Sequence, residues 1–109
     1  MNRQSVEFNL EKDKIKNELL SMTIDDILEA RLAIEEENYQ KAVNILSHLL
    51  ENKQQFIPSD EPYLWLAESY ENIGKIDRAA ALYIFLLQTR PEVPTTELAL
   101  RRLIGKYYQ

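Results

Sequence analysis

The chain has no cysteine, and its 109 residues include only two glycines, four prolines, one histidine and one tryptophan. Without cysteine there are no disulfides, no thiolate chemistry, no cysteine metal sites and no lipid attachment through sulfur. The single histidine, His48 in "LSHLL", has no second histidine with which to share a metal ion, so it reads as an ordinary surface or half-buried side chain. So little glycine leaves no phosphate-cradling loop and no nucleophile elbow. Acidic residues do cluster, as Asp25–Asp26 and Glu35–Glu36–Glu37. Adjacent residues on a helix point apart, however, and no oxygen-rich loop with its glycine surrounds them, so they read as a solvated face. No catalytic residue, metal or cofactor is expected, and the chain does not read as an enzyme.

Also missing are a basic cluster and a long apolar run. The formal net charge is −5 and the isoelectric point about 4.9, a balance that disfavours nucleic acid and anionic lipid as partners. The longest apolar stretch, Ala79–Leu87, has nine residues, whereas a membrane-spanning helix needs about 20. The opening "MNRQSVEFNLEKDKIKNELL" is broken too often by charge to hold the apolar segment of a secretory signal. A single domain without membrane insertion, located in the cytoplasm, is the expectation.

What the sequence has in quantity is helical periodicity. Only "SVEFNL", with Val6, Phe8 and Leu10 at period two, resembles a strand, and a lone strand has no partner; the chain reads as all-α. Residues 11–21 form an amphipathic N-terminal helix carrying Ile15 and Leu19, with Met22 just beyond. Thr23 then reads as the N-cap of a new helix, with Asp26 as an acidic capping-box partner. That helix runs to about Glu37 and buries some of Ile27, Leu28, Ala30, Leu32, Ala33 and Ile34. A second, from Tyr39 or Gln40 to about Asn52, presents Ala42, Val43, Ile45, Leu46, Leu49 and Leu50. Pro58, Pro62, Gly74, Pro91 and Pro94 punctuate the second half of the chain. Asp60 is the expected cap and Pro62 a first-turn residue of a helix from Glu61 to Ile73, which Gly74 closes. The next helix spans Asp77 to Thr89, stopped by Pro91, and Thr95 or Thr96 caps a last one, "ELALRRLIGKYYQ".

Two of these segments share a plan. "ILEARLAIEEENYQKAVNILSHLL" and "LWLAESYENIGKIDRAAALYIFLL" each join two apolar helices through a short polar turn, and Ala30/Ala67 and Ala42/Ala79 are both 37 residues apart. Small side chains at facing points let antiparallel helices approach closely. In the second segment Tyr63, Leu66, Ala67, Tyr70, Ala79, Tyr83 and Pro91, with Gly74 in the turn, resemble the tetratricopeptide repeat. The first segment matches with Ala30, Ala33, Ala42, Leu46 and Leu49 but has Glu29 where leucine is usual and Gln54 where proline is. Ile104, Gly105 and Tyr108 look like the start of a third copy. The resemblance implies a right-handed stack of two helix hairpins, at about 24–57 and 60–93, plus a closing helix at 95–109. Residues 1–22 are an N-terminal extension outside this domain of 23–109.

The resemblance also implies a role: a non-catalytic module holding a partner protein or peptide in a concave groove lined by the first helix of each pair. Carried over by position, the groove would present Ile27, Arg31, Ile34 and Glu35, then Leu64, Glu68, Glu71 and Asn72, then Arg102 and Lys106. Its mixed character suits a partner helix with an apolar stripe and basic residues, and reversing the charge of Glu68 and Glu71 is expected to weaken binding without harming the fold. Ile27 and Trp65 stand where the family's carboxylate-gripping variant has lysine and asparagine, which argues against chaperone-tail binding. Trp65 itself has two readings, packing against the preceding helix or the "QQFIP" loop, or an exposed contact. Other functional readings are a self-associating assembly component, head-to-tail or through the apolar C-terminal helix, and a small acidic secretion-type chaperone.

Overall fold

Five helices occur in the computed structural model, which describes residues 3–57 and 59–108: α1 (Arg3–Glu35), α2 (Tyr39–Asn52), α3 (Glu61–Asn72), α4 (Ile76–Thr89) and α5 (Pro94–Tyr107). A single 3₁₀ turn, Gln54–Phe56, lies between α2 and α3, and no strand occurs among the described residues. Pro58 and Gln109 lie outside them, and with them the punctuating role expected of Pro58 and the last residue of the closing helix. Each helix packs mainly on its chain neighbours, α1 with α2, α2 with α3, α3 with α4 and α4 with α5, while α1 also touches α3.

The helix break expected at Thr23 is absent. α1 runs unbroken for 33 residues, about 50 Å, and takes in the "SVEFNL" segment. Thr23 is fully buried, and its Oγ1 donates to the Leu19 carbonyl at 2.8 Å, one turn back along the same helix. A hydroxyl satisfied in this way fits mid-helix burial as well as a cap, and sequence spacing does not separate the two. Asp26 likewise caps nothing; it faces Lys53 Nζ at 3.6 Å.

Both hairpins close with the same turn. Asn38 N–H donates to Ala33 O at 2.7 Å and Glu37 N–H to Ile34 O at 2.9 Å; Lys75 N–H donates to Tyr70 O at 2.8 Å and Gly74 N–H to Glu71 O at 3.1 Å. These are the paired bonds of a Schellman ending, which needs one residue in the left-handed region. Gly74 takes it at φ +83°, and Glu37, 37 residues earlier, takes it at φ +60°. Only glycine adopts that conformation without steric cost. Gly74→Ala should therefore lose about 1 kcal/mol and Glu37→Gly gain up to about 1 kcal/mol in urea unfolding. Equal responses at the two sites would refute the match.

Burial repeats with the turn. Ala30, Ala33, Ala42, Leu46 and Leu49 are buried, and so are Ala67, Tyr70, Ala79, Tyr83 and Leu86, each 37 residues further on. Ala30, Ala42, Ala67 and Ala79 have no exposed surface at all. Leu28 and Leu32, two candidates for the α1 core, are instead 59% and 53% exposed, because α2 and α3 cover the opposite side of the helix.

Two other expected caps act differently. Asp60 precedes α3 but makes no side-chain cap bond; its Oδ2 accepts from Arg90 Nε at 2.8 Å, tying the start of α3 to the end of α4. Neither Thr95 nor Thr96 caps α5: the helix starts at Pro94 behind Val93, and Thr96 is buried.

Candidate functional site

α1, α3 and α5 share one face, bridged twice by charged side chains. Between α1 and α3, the Arg31 guanidinium lies 5.6 Å from the centre of the Trp65 ring. Between α3 and α5, Arg102 grips Glu71 through both nitrogens, Nη1 to Oε2 at 2.5 Å and Nη2 to Oε1 at 2.9 Å. Tyr83 Oη, from α4 behind, donates to the same Oε1 at 3.4 Å. Only 8% of the Glu71 side chain is exposed, against 51% for Arg102. The Arg102 guanidinium is held all the more firmly charged by its hydrogen bonds to Glu71, and burial, helped by the charges of Glu71 and Glu68, pushes the Tyr83 phenol far above its usual range. Tyr83 is thereby held protonated, as the donor to Glu71 Oε1.

Glu71 was expected to be a free groove contact. It is instead a buried strut whose oxygens are already occupied, so its charge is not offered to a partner, and charge reversal there would strike the fold. Glu68, one turn earlier, is the carboxylate that remains available. It is half-buried and in no ion pair among the described residues. Burial holds its carboxyl above the ordinary carboxylate range; Arg102 pulls it down, and the Glu71 charge pushes it up. A cation brought to this place would relieve the cost of burying its charge.

The remaining residues expected to line the groove fall into two groups. Ile27, Ile34 and Leu64 are half-buried and pack against the core, keeping part of their surface open. Arg31, Glu35, Asn72 and Lys106 are exposed: Arg31 pairs with Glu35 at 3.4 Å, Asn72 Nδ2 donates to the Glu68 carbonyl at 2.8 Å, and Lys106 lies 5.1 Å from the Tyr107 ring centre. Arg31, Trp65, Glu68, Glu71 and Arg102 thus run across one face from α1 to α5, whereas Lys106 sits near its end.

Position matching missed a pocket of about 410 Å³ at the N-terminal ends of α3 and α5. Leu64, Trp65, Leu86 and Val93 form its apolar wall, and Glu61 and the Asp60–Arg90 pair stand beside them. Trp65 is half-buried rather than an exposed contact: it packs against the core, lies under the Arg31 guanidinium of α1 and lines this pocket. Ile24 and Leu28, 41% and 59% exposed, extend the apolar surface on α1 at the helical spacing of Arg31 and Glu35. Sequence spacing does not mark this surface, since Leu28 stands there among the candidates for the α1 core. No helix among the described residues is long and apolar enough to cross a membrane. In comparisons with known proteins, no family model, no curated protein and no solved structure matches this chain.

Proposed function

We propose that the chain is a tetratricopeptide-like, right-handed helical repeat without catalytic activity, whose α1–α3–α5 face binds a helical segment of a partner protein. The observation that carries this reading is the conjunction of an apolar pocket with unneutralised acid beside it. Leu64, Trp65, Leu86 and Val93 offer a recess for one large apolar side chain, while Glu61 and Glu68 are in no ion pair among the described residues. An amphipathic helix with an apolar anchor and a lysine or arginine one turn away satisfies both at once. The repeat reading is supported by the ten buried positions that pair at 37 residues and by the two matched left-handed turns.

Panning a library of amphipathic helical peptides against the chain tests the reading. Enriched peptides should carry an apolar residue with Lys or Arg three or four positions away. Glu61→Lys with Glu68→Lys should weaken their binding about tenfold or more, since like charges now face each other, while circular dichroism and melting stay close to the parent. Enrichment of acidic peptides, or equal loss of folding and binding, would remove the assignment.

A further inference from the structure

Burial grades the pocket at the start of α5 into rim, wall and floor. Glu61, Arg90 and Thr95 are exposed at its rim, Leu64, Trp65 and Val93 are half-buried, and Leu86 and Thr96 are buried. The floor therefore joins an apolar side chain to a polar one. Thr23, the other buried threonine among the described residues, donates its hydroxyl proton to a carbonyl of its own helix. Thr96, 4% exposed, makes no side-chain hydrogen bond among the described residues. Its hydroxyl is not sealed in either, because Ser69 Oγ is the one unpaired side-chain polar atom fully enclosed among those residues. Thr96 Oγ1 thus borders open space, and the open space that Thr96 lines is this pocket.

Backbone polarity adds to that of the hydroxyl. Thr95 and Thr96 belong to the first turn of α5, whose N–H groups have no carbonyl one turn back. Val93 stands at the cap position, and no side chain caps the helix. These features select among the side chains a partner helix can insert. A wholly apolar one covers Leu64, Trp65 and Val93 but strips water from the Thr96 hydroxyl and leaves it unpaired, which is unfavourable. Lysine or arginine meets Arg90 and the positive end of α5, and a carboxylate meets Asp60 and Glu61. Serine and asparagine lack the apolar body that the wall requires, and tryptophan brings a donor without an acceptor. Tyrosine has a ring for the wall and a hydroxyl that both donates and accepts.

We propose that the anchor this pocket takes from the partner helix is a tyrosine, its ring against Leu64, Trp65 and Val93 and its hydroxyl paired with Thr96 Oγ1 at the N-terminus of α5. The inference rests on the reading of the α1–α3–α5 face as a helix-binding surface and adds the identity of the side chain selected. Thr96 is then a specificity residue. It gives no general attraction for aromatic rings but disfavours those without a polar tip, because a site that offers a hydrogen bond rejects an analogue that cannot make it.

Synthetic amphipathic peptides of about 18 residues, long enough to be helical, provide the test. They differ at a single anchor position, which is Tyr, Phe or Leu, and share lysines three and four residues from it. In calorimetric titrations the parent chain should hold the Tyr peptide about five- to tenfold tighter than the Phe peptide. Thr96→Val keeps the shape and removes the hydroxyl. It should move the two peptides in opposite directions, Tyr weaker and Phe tighter, until they agree within about twofold. A purely structural role for Thr96 would weaken both alike. Thr96→Ser keeps a hydroxyl and should keep the preference. Glu61→Lys with Glu68→Lys should weaken all the peptides by similar factors, so that face and anchor are read separately. Phe or Leu peptides that bind the parent as tightly as Tyr, yet still respond to the charge reversal, would overturn the tyrosine assignment and leave the binding face standing. A Tyr preference untouched in Thr96→Val would overturn the role of Thr96, and binding of none of the peptides would overturn both readings.

Discussion

Leucine in place of Ala79 should lower the unfolding free energy by about 1–3 kcal/mol, while the same change two residues on, at Ala81, should leave it almost unchanged. Both belong to one run, "AAA" at 79–81, and share helix propensity and chemistry. They differ in surroundings. Ala79 has no exposed surface and sits in the buried core, whereas Ala81 is exposed. Interiors are packed near crystal density, so three further carbons at Ala79 must displace backbone or force neighbouring side chains off their rotamers. At Ala81 they extend over an open surface groove beside Leu82 and Phe85. Urea unfolding of the two variants, compared with the parent, gives the difference directly. Equal costs at both sites would mean that the close approach of α3 and α4 does not depend on a small residue at Ala79.

The same contrast explains how much of the fold was legible in the sequence. Alanines at 37-residue separation, and leucines and tyrosines one turn from them, announce close helix crossings, and those positions are buried. Gly74 announces its turn because φ +83° excludes most other residues. The equivalent turn at Glu37 is hidden, since glutamate signals nothing about a left-handed backbone and the tertiary pairing of α1 with α2 imposes it. Caps were the weakest inference. Thr23, Asp60, Thr95 and Thr96 all have cap chemistry, but Thr23 and Thr96 are buried and Asp60 is bound to Arg90, 30 residues away. A short polar side chain can satisfy either role, and the choice is made by packing that local spacing does not encode.

At the candidate site the divide is similar. Helical spacing places Arg31, Glu68, Glu71 and Arg102 on neighbouring faces, but not which of them meet. Glu71 looked like Glu68 in sequence, three residues apart on one face. The structure separates them because Arg102 reaches one and Tyr83 lies beneath that one, leaving Glu68 with the surplus charge. The pocket beside Leu64 and Trp65 was illegible for another reason: its walls come from α3, α4 and the segment before α5, joined only by folding.

Arg102→Met should cost about 2–3 kcal/mol, through what it leaves behind rather than what it removes. The Glu71 carboxylate, 8% exposed, would keep a single partner, the Tyr83 hydroxyl at 3.4 Å, and would lose both guanidinium bonds. Arg102 is half exposed, so water reaches the site partly and the cost stays below that of breaking a fully enclosed pair. Glu71→Gln is the milder change, at about 1 kcal/mol or less, because a neutral amide still accepts from Tyr83 and the freed guanidinium turns into solvent. The two substitutions together should cost less than the sum of each alone, since no buried charge remains to be left unpaired. Urea unfolding of all three variants measures that coupling. Strict additivity, or no effect of Arg102→Met, would show that the pair is ornamental. The pair is also the ion pair that joins α3 to α5 across the proposed binding face. Loss of peptide binding in Arg102→Met beyond its loss of stability, with Glu61 and Glu68 intact, would show that the face works only while α5 is held in place.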